Sequence, residues 1–226
     1  MFMKTEITWH GHAGFSIKNG ISILVDPFFS GNPLAKASAE DVKADLILVT
    51  HGHFDHAGDA VKIAKKNQSP IVCSFELSEI IKKEQVETID INPGGTIEYK
   101  GVRATAVPAI HSSSYNGLYA GEAMGYIIDN KDIKIYHGGD TTFFTDMELI
   151  GSVYNPDIAM VPIGGHYTMD VDGAVEALKL LKVKNAIPMH YNTFPPIKAD
   201  PVEFQKKAEK LGIVVTIPEI EKTFKA

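Results

Sequence analysis

Apolar residues along this chain come in short runs separated by turn residues. Ile7-Thr8-Trp9 and Phe15-Ser16-Ile17 flank Gly11 and Gly14, and Ile21-Ser22-Ile23-Leu24-Val25 follows Asn19-Gly20, a strong hairpin signal. Two further hairpins are expected: 96–99 with 102–107 around Lys100-Gly101, and 125–128 with 133–136 around Asn130-Lys131. Fully apolar runs such as Leu46 to Val49, and the strands expected at 71–73, 157–161, 186–187 and 213–217, read as buried. Between them the spacing predicts helices over 60–66, 77–83, 170–181 and 201–211. The third has Asp170 or Asp172 to cap it, and the last has Pro201 at its start and Gly212 past its end.

Each half of the chain thus runs from hairpins to strand–helix alternation. Two packed sheets with helices outside, a four-layer αββα sandwich, fit this order of elements. A doubly wound α/β fold is the rival, but its parallel strands need long crossovers where this chain has tight turns. No segment reads as a linker, so residues 1–226 are taken as one domain.

Composition changes this picture little. Apolar residues make up 44% and charged residues 22%, ordinary values for a packed domain. The net charge is -6, the lysines are scattered, and Arg103 is the only arginine, which argues against a nucleic-acid surface. The start, Met1-Phe2-Met3-Lys4, turns polar too soon for a signal peptide. No apolar stretch approaches the ~18 residues that cross a bilayer. A cytoplasmic setting away from membranes is the expectation, with homo-oligomerisation left open. Cys73, the single cysteine, lies in an apolar run and reads as a small buried hydrophobe.

Chemistry concentrates in His51-Gly52-His53-Phe54-Asp55-His56. Composition alone would yield such a run about once in a thousand chains of this make-up. It follows an apolar strand and precedes a helix, so a loop can turn its side chains toward one or two metal ions. Imidazoles suit zinc, nickel, manganese or iron, and a carboxylate hardens one side. Four more polar residues close strand-like runs: Asp26, His111, Asp140 and His190. Layered α/β folds build their sites at the carboxyl ends of strands.

With these residues in view, the chain resembles the metallo-β-lactamase superfamily. The likeness rests on H-x-H-x-D-H at 51–56, His111, Gly139-Asp140-Thr141 and His190, and so spans nearly the whole chain. Gly11-His12-Ala13 and Ile23-Leu24-Val25-Asp26-Pro27 make it most similar to the uncharacterised metal-dependent hydrolases related to ascorbate-6-phosphate lactonase. The resemblance implies two divalent transition-metal ions, zinc foremost, with manganese, nickel or iron open. It assigns His51, His53 and His111 to one metal, Asp55, His56 and His190 to the other, and Asp140 as a bridge. Asp26 would hold a ligand histidine by its other ring nitrogen.

The implied activity is hydrolysis of a small ester, lactone or phosphodiester by a hydroxide shared between the metals. Asp55 would orient that hydroxide and take its proton. His166, in Ile163-Gly164-Gly165-His166-Tyr167, is the expected donor to the leaving group. His12 is expected near the pocket, whereas the roles of His10 and His137 stay open. The stretch Ser112 to Gly117 reads as a mobile polar loop able to contact substrate. Three other readings compete: an RNA-directed nuclease or phosphodiesterase, a diiron redox protein, and a non-catalytic metal-binding module. The acidic charge disfavours the first, the intact His53 the second, and the complete ligand set the third.

Overall fold

A computed structural model describes residues 4–226; Met1-Phe2-Met3, the first part of the start read above, lies outside them. Two seven-stranded sheets dominate the architecture. The first contains β1 (Glu6–Trp9), β2 (Phe15–Asn19), β3 (Ile21–Val25), β4 (Leu46–Leu48), β5 (Ile71–Cys73) and β6 (Thr88–Asp90). The second begins with β7 (Thr96–Tyr99) and β8 (Val102–Pro108). A separate two-stranded hairpin of β9 (Ser114–Tyr115) and β10 (Leu118–Tyr119) follows. The second sheet then resumes with β11 (Met124–Asp129), β12 (Lys134–His137), β13 (Ile158–Pro162), β14 (Asn185–Met189) and β15 (Val214–Val215). Finally β16 (Phe224–Lys225) returns to pair with β1, which places the last strand of the chain in the first sheet.

The same plan recurs in both sheets. β1 to β3 are antiparallel and β3 to β6 parallel. Likewise β7, β8, β11 and β12 are antiparallel, and β12 to β15 parallel. The tight turns expected from Asn19-Gly20 and Lys100-Gly101 are present, with Gly20 at φ 79° and Gly101 at φ 86° supplying the left-handed backbone. These hairpins exclude the doubly wound alternative.

Strand alternation explains the layering. Ile23, Val25, Leu46 and Leu48 belong to the core shared by both sheets. Their neighbours Leu24 and Ile47 face a second core with α2 (Ala60–Asn67) and α3 (Phe75–Ile81), after a short α1 (Phe54–Ala57). On the other side α4 (Met147–Tyr154), α5 (Val171–Leu181) and α6 (Pro201–Glu209) pack Ile150, Ala174, Leu178 and Phe204 into the main core. Asp170, rather than Asp172, caps α5 by accepting from Gly173 N at 2.8 Å. Among the described residues no helix is long and apolar enough to cross a membrane.

Four elements depart from the sequence pattern. β6 and β16 are only three and two residues long, too short for a periodic signal. In α4, Leu149 and Val153 are exposed opposite the buried Met147 and Ile150, so the helix is apolar on both faces and hides its amphipathic period. The stretch expected as an irregular loop, 112–117, instead carries β9, and Ser113 is buried there.

Candidate metal centre

The site assembles where strands end. Asp26 follows β3, His51 follows β4 by three residues, Asp140 follows β12 by three and His190 follows β14 directly. His111 lies just beyond β8, and His12 sits in the turn between β1 and β2. The H-x-H-x-D-H run turns from β4 into α1, which holds Asp55 and His56 in its first turn.

Close approach dictates the small residues around it. A Cβ on Gly52 would stand 2.7 Å from the Ala120 Cβ and 3.0 Å from the Ser114 carbonyl, so the β9–β10 hairpin can lie against the motif only with glycine there. Three site residues adopt left-handed backbone without being glycine: His12 (φ 55°), Asp26 (φ 45°) and His190 (φ 55°). Such conformations cost roughly 1–3 kcal/mol each and persist where surroundings impose them.

The donor atoms fall into three overlapping groups. His51, His53 and His111 form one; His12, Asp55, His56 and His190 form another; His51, His56 and Asp140 form the third. Within each, one donor atom per residue lies within 4.8 Å of the others. Asp140 is central: its carboxylate stands 3.2 Å from His56 Nε2, 3.0 Å from His190 Nε2 and 3.5 Å from His111 Nε2.

Behind these atoms lies a supporting network. His56 Nδ1 donates to Asp26 Oδ2 at 2.8 Å, which leaves Nε2 to face the cluster. Asp26 is in turn fixed by Thr50, whose backbone N–H and hydroxyl both donate to it at 2.8 Å. His12 Nε2 donates to Asp55 Oδ2 at 3.0 Å, and its Nδ1 lies 2.8 Å from Thr193 Oγ1. His137 Nε2 donates to the Ala13 carbonyl at 3.0 Å, and its Nδ1 accepts from Gly139 N at 3.2 Å, so it steadies the turn that carries Asp140.

Charge follows from this packing. Burial works against charged His56, yet Asp140 and Asp26 outweigh it and hold its pKa well above the ordinary imidazole value. Burial also opposes ionised Asp140, but His190 and His56 hold it well below the carboxylate range. Burial pushes His51 well down and lowers His53 and His111 as well. For His12, burial and the neighbouring His190 bring the pKa to about 4. An anionic Asp140 close to His51, His53 and His111, which resist protonation, is a donor set suited to a divalent cation.

Fit to a metal is visible in buried donor atoms. His56 Nε2, Asp140 Oδ1 and both ring nitrogens of His190 are buried without a well-directed hydrogen bond, although Asp140 approaches His56 to 3.2 Å and His190 to 3.0 Å. Leaving such groups unpaired costs about 1–3 kcal/mol each, and all three residues belong to the groups that could hold an ion.

Comparison with known proteins accords with this geometry. The Beta-lactamase superfamily domain family matches residues 22–191, most of the chain. The chain belongs to the beta-lactamase superfamily. Within that superfamily it falls among the UPF0173 metal-dependent hydrolases. It is 60% identical to one from Thermoplasma volcanium over 97% of this chain and 98% of that one. With another from Archaeoglobus fulgidus it shares 48% identity over 94% of each. Among solved structures, Igni18, a metallo hydrolase from Ignicoccus hospitalis, superposes with a TM-score of 0.90. The identity there is 38%, over 99% of this chain and 100% of that one.

As a member of this superfamily the chain also carries a cavity over its metal-binding cluster. A space of about 540 Å³ opens above the cluster, with His53, Asp55, His111, Asp140 and His190 on its polar side. Its other walls include Phe54, Tyr167, Phe194 and Pro196. The sequence reading missed these aromatics and the contact of His12 with Asp55, because no local pattern joins residues 43 positions apart. His166 is exposed, at φ 48°, with its ring centroid 4.4 Å from that of Tyr167, and it is Tyr167 that lines the cavity. His10 points away from the cluster, bonded to Glu221 Oε2 at 2.8 Å and Ser16 Oγ at 2.7 Å, where it ties the C-terminal segment to the first sheet.

Proposed function

We propose that this protein is a binuclear metal-dependent hydrolase of small esters, lactones or phosphodiesters. His51, His53 and His111 would hold one ion, Asp55, His56 and His190 the other, with Asp140 shared. The observation that carries the reading is the set of buried metal-donor atoms without a well-directed hydrogen bond on His56, Asp140 and His190, of which Asp140 and His190 line an open cavity. Bound divalent ions would supply a water that is acidic enough to react at neutral pH and would polarise the substrate oxygen.

The chain's own residues do the rest. Asp55 faces the cavity and accepts from His12, so it is placed to orient water and receive its proton. Asp26 keeps His56 in the tautomer whose Nε2 lone pair faces the cluster. For the leaving-group proton, Tyr167 is better placed than His166 because its side chain reaches the cavity.

The test is a screen of purified protein against lactones, aryl esters and phosphodiesters with Zn²⁺, Mn²⁺ and Ni²⁺ supplied separately. Turnover that disappears with chelator and returns with one of these ions supports the reading. Absence of turnover on every class, with ions bound, overturns it.

A further inference from the structure

We infer that the natural substrate is an uncharged carboxylic ester or lactone whose acyl part carries an aromatic or comparably bulky apolar group. This rests on the hydrolase reading above and narrows it.

Three aromatic rings pack into a cluster at one side of the cavity, and two of them, Phe54 and Phe194, line it. Phe28 and Phe54 meet edge to face with centroids 5.8 Å apart and planes at 90°. Phe194 stands 6.1 Å from each of them. Phe28 is buried behind the other two and anchors the cluster, whereas Phe54 is 66% exposed. An exposed phenylalanine is ordinary by itself, but the position of this one is not. Residue 54 lies between His53 and Asp55 in the metal-binding run and lines the same cavity as both. Tyr167, itself 55% exposed, and Pro196 continue the apolar wall.

Charge points the same way. Among the described residues that line the cavity there is no lysine or arginine. A substrate with a phosphate or free carboxylate remote from the reacting bond would find no cation to receive it. The cavity volume of about 540 Å³ suits a small molecule, not a polymer. An aromatic group laid against the cavity-facing side of Phe54 and Phe194 gains both burial and favourable ring–ring contact.

Two measurements on the full-length, metal-supplied protein test this. The first is binding of phenylacetamide against acetamide, followed by ligand-detected NMR, which needs no turnover. The phenyl compound is expected to bind at least about tenfold more tightly, and Phe54→Ala or Phe194→Ala to erase most of that ratio with metal content unchanged. The second compares kcat/KM for three 4-nitrophenyl esters that share one leaving group: phenylacetate, acetate and the adipate half-ester with its free carboxylate. The expected order is phenylacetate, then acetate, then the adipate half-ester, with Phe54→Ala compressing the first step toward unity. Equal binding of the two amides, or a preference for the carboxylate ester, overturns the inference. Selective binding of phenylacetamide without hydrolysis of any ester or lactone leaves the pocket assignment standing and overturns the ester and lactone assignment, and absence of phosphodiester turnover as well overturns the hydrolase reading.

Discussion

Asp140 is the residue on which the centre turns, because its two oxygens approach His56, His111 and His190 at once. Asp140→Ala is expected to lower bound metal by at least one ion per chain, while Asp146→Ala, on an exposed carboxylate nearby, leaves it unchanged. Elemental analysis of the two variants checks this, and equal losses would sink the bridging role. His12 supports a pH prediction for the metal-free protein. Its folded pKa of about 4 lies below the 6.5 of a free imidazole, so between these values the unfolded chain binds more protons than the folded one. Stability is therefore full above pH ~6.5 and falls as pH drops toward ~4, by about 1.4 kcal/mol for each pH unit crossed. Urea midpoints at pH 7, 5.5 and 4.5 should fall in that order, and less steeply in His12→Gln. An unchanged slope in the variant would remove His12 from the account. At this scale the sequence was legible where residues are adjacent: 51–56 announces itself. At 163–167 the glycines and the preceding strand pointed to His166, whereas the cavity wall is formed by its neighbour Tyr167.

Elements carry the site by their close approaches. Gly164, just past β13, has room for no side chain: a Cβ there would stand 2.3 Å from the His190 carbonyl and 2.9 Å from the Ile197 Cβ. Gly164→Ala should push the His190 turn outward and weaken metal binding without touching a ligand. Equilibrium dialysis would show this as a loss of affinity, and wild-type affinity would contradict it. The Asp170 cap offers the complementary case, since α5 packs on the sheet away from the ligands. Asp170→Ala should cost about 1 kcal/mol of stability in chemical denaturation and leave metal content intact. α5 was legible because it combines a cap with a clean apolar face, and the hairpins because Asn-Gly and Lys-Gly turns declare themselves. β6, α4 and β16 were not, since very short strands and a helix apolar on both faces take their identity from what they pair with.

The whole molecule is two similar half-sheets laid face to face, and the site sits where both sets of strand ends meet. Tyr126 shows the coupling: from β11 in the second sheet its hydroxyl reaches the carbonyls of Val49 at 3.0 Å and Val72 at 3.3 Å in the first. His51 begins two residues after Val49, so sheet packing and ligand placement share one element. The layered order was readable from the succession of hairpins and crossovers, but the return of β16 to β1 and the aromatic wall over the metals depend on contacts far apart in sequence. The central claim is that this assembly holds two ions at once. Its most direct test is elemental analysis of full-length protein saturated with Zn²⁺, or with Mn²⁺, and then passed through a desalting column. Close to two ions per chain is the expected result; one or fewer, in protein that is folded with all seven proposed ligands intact, would contradict it.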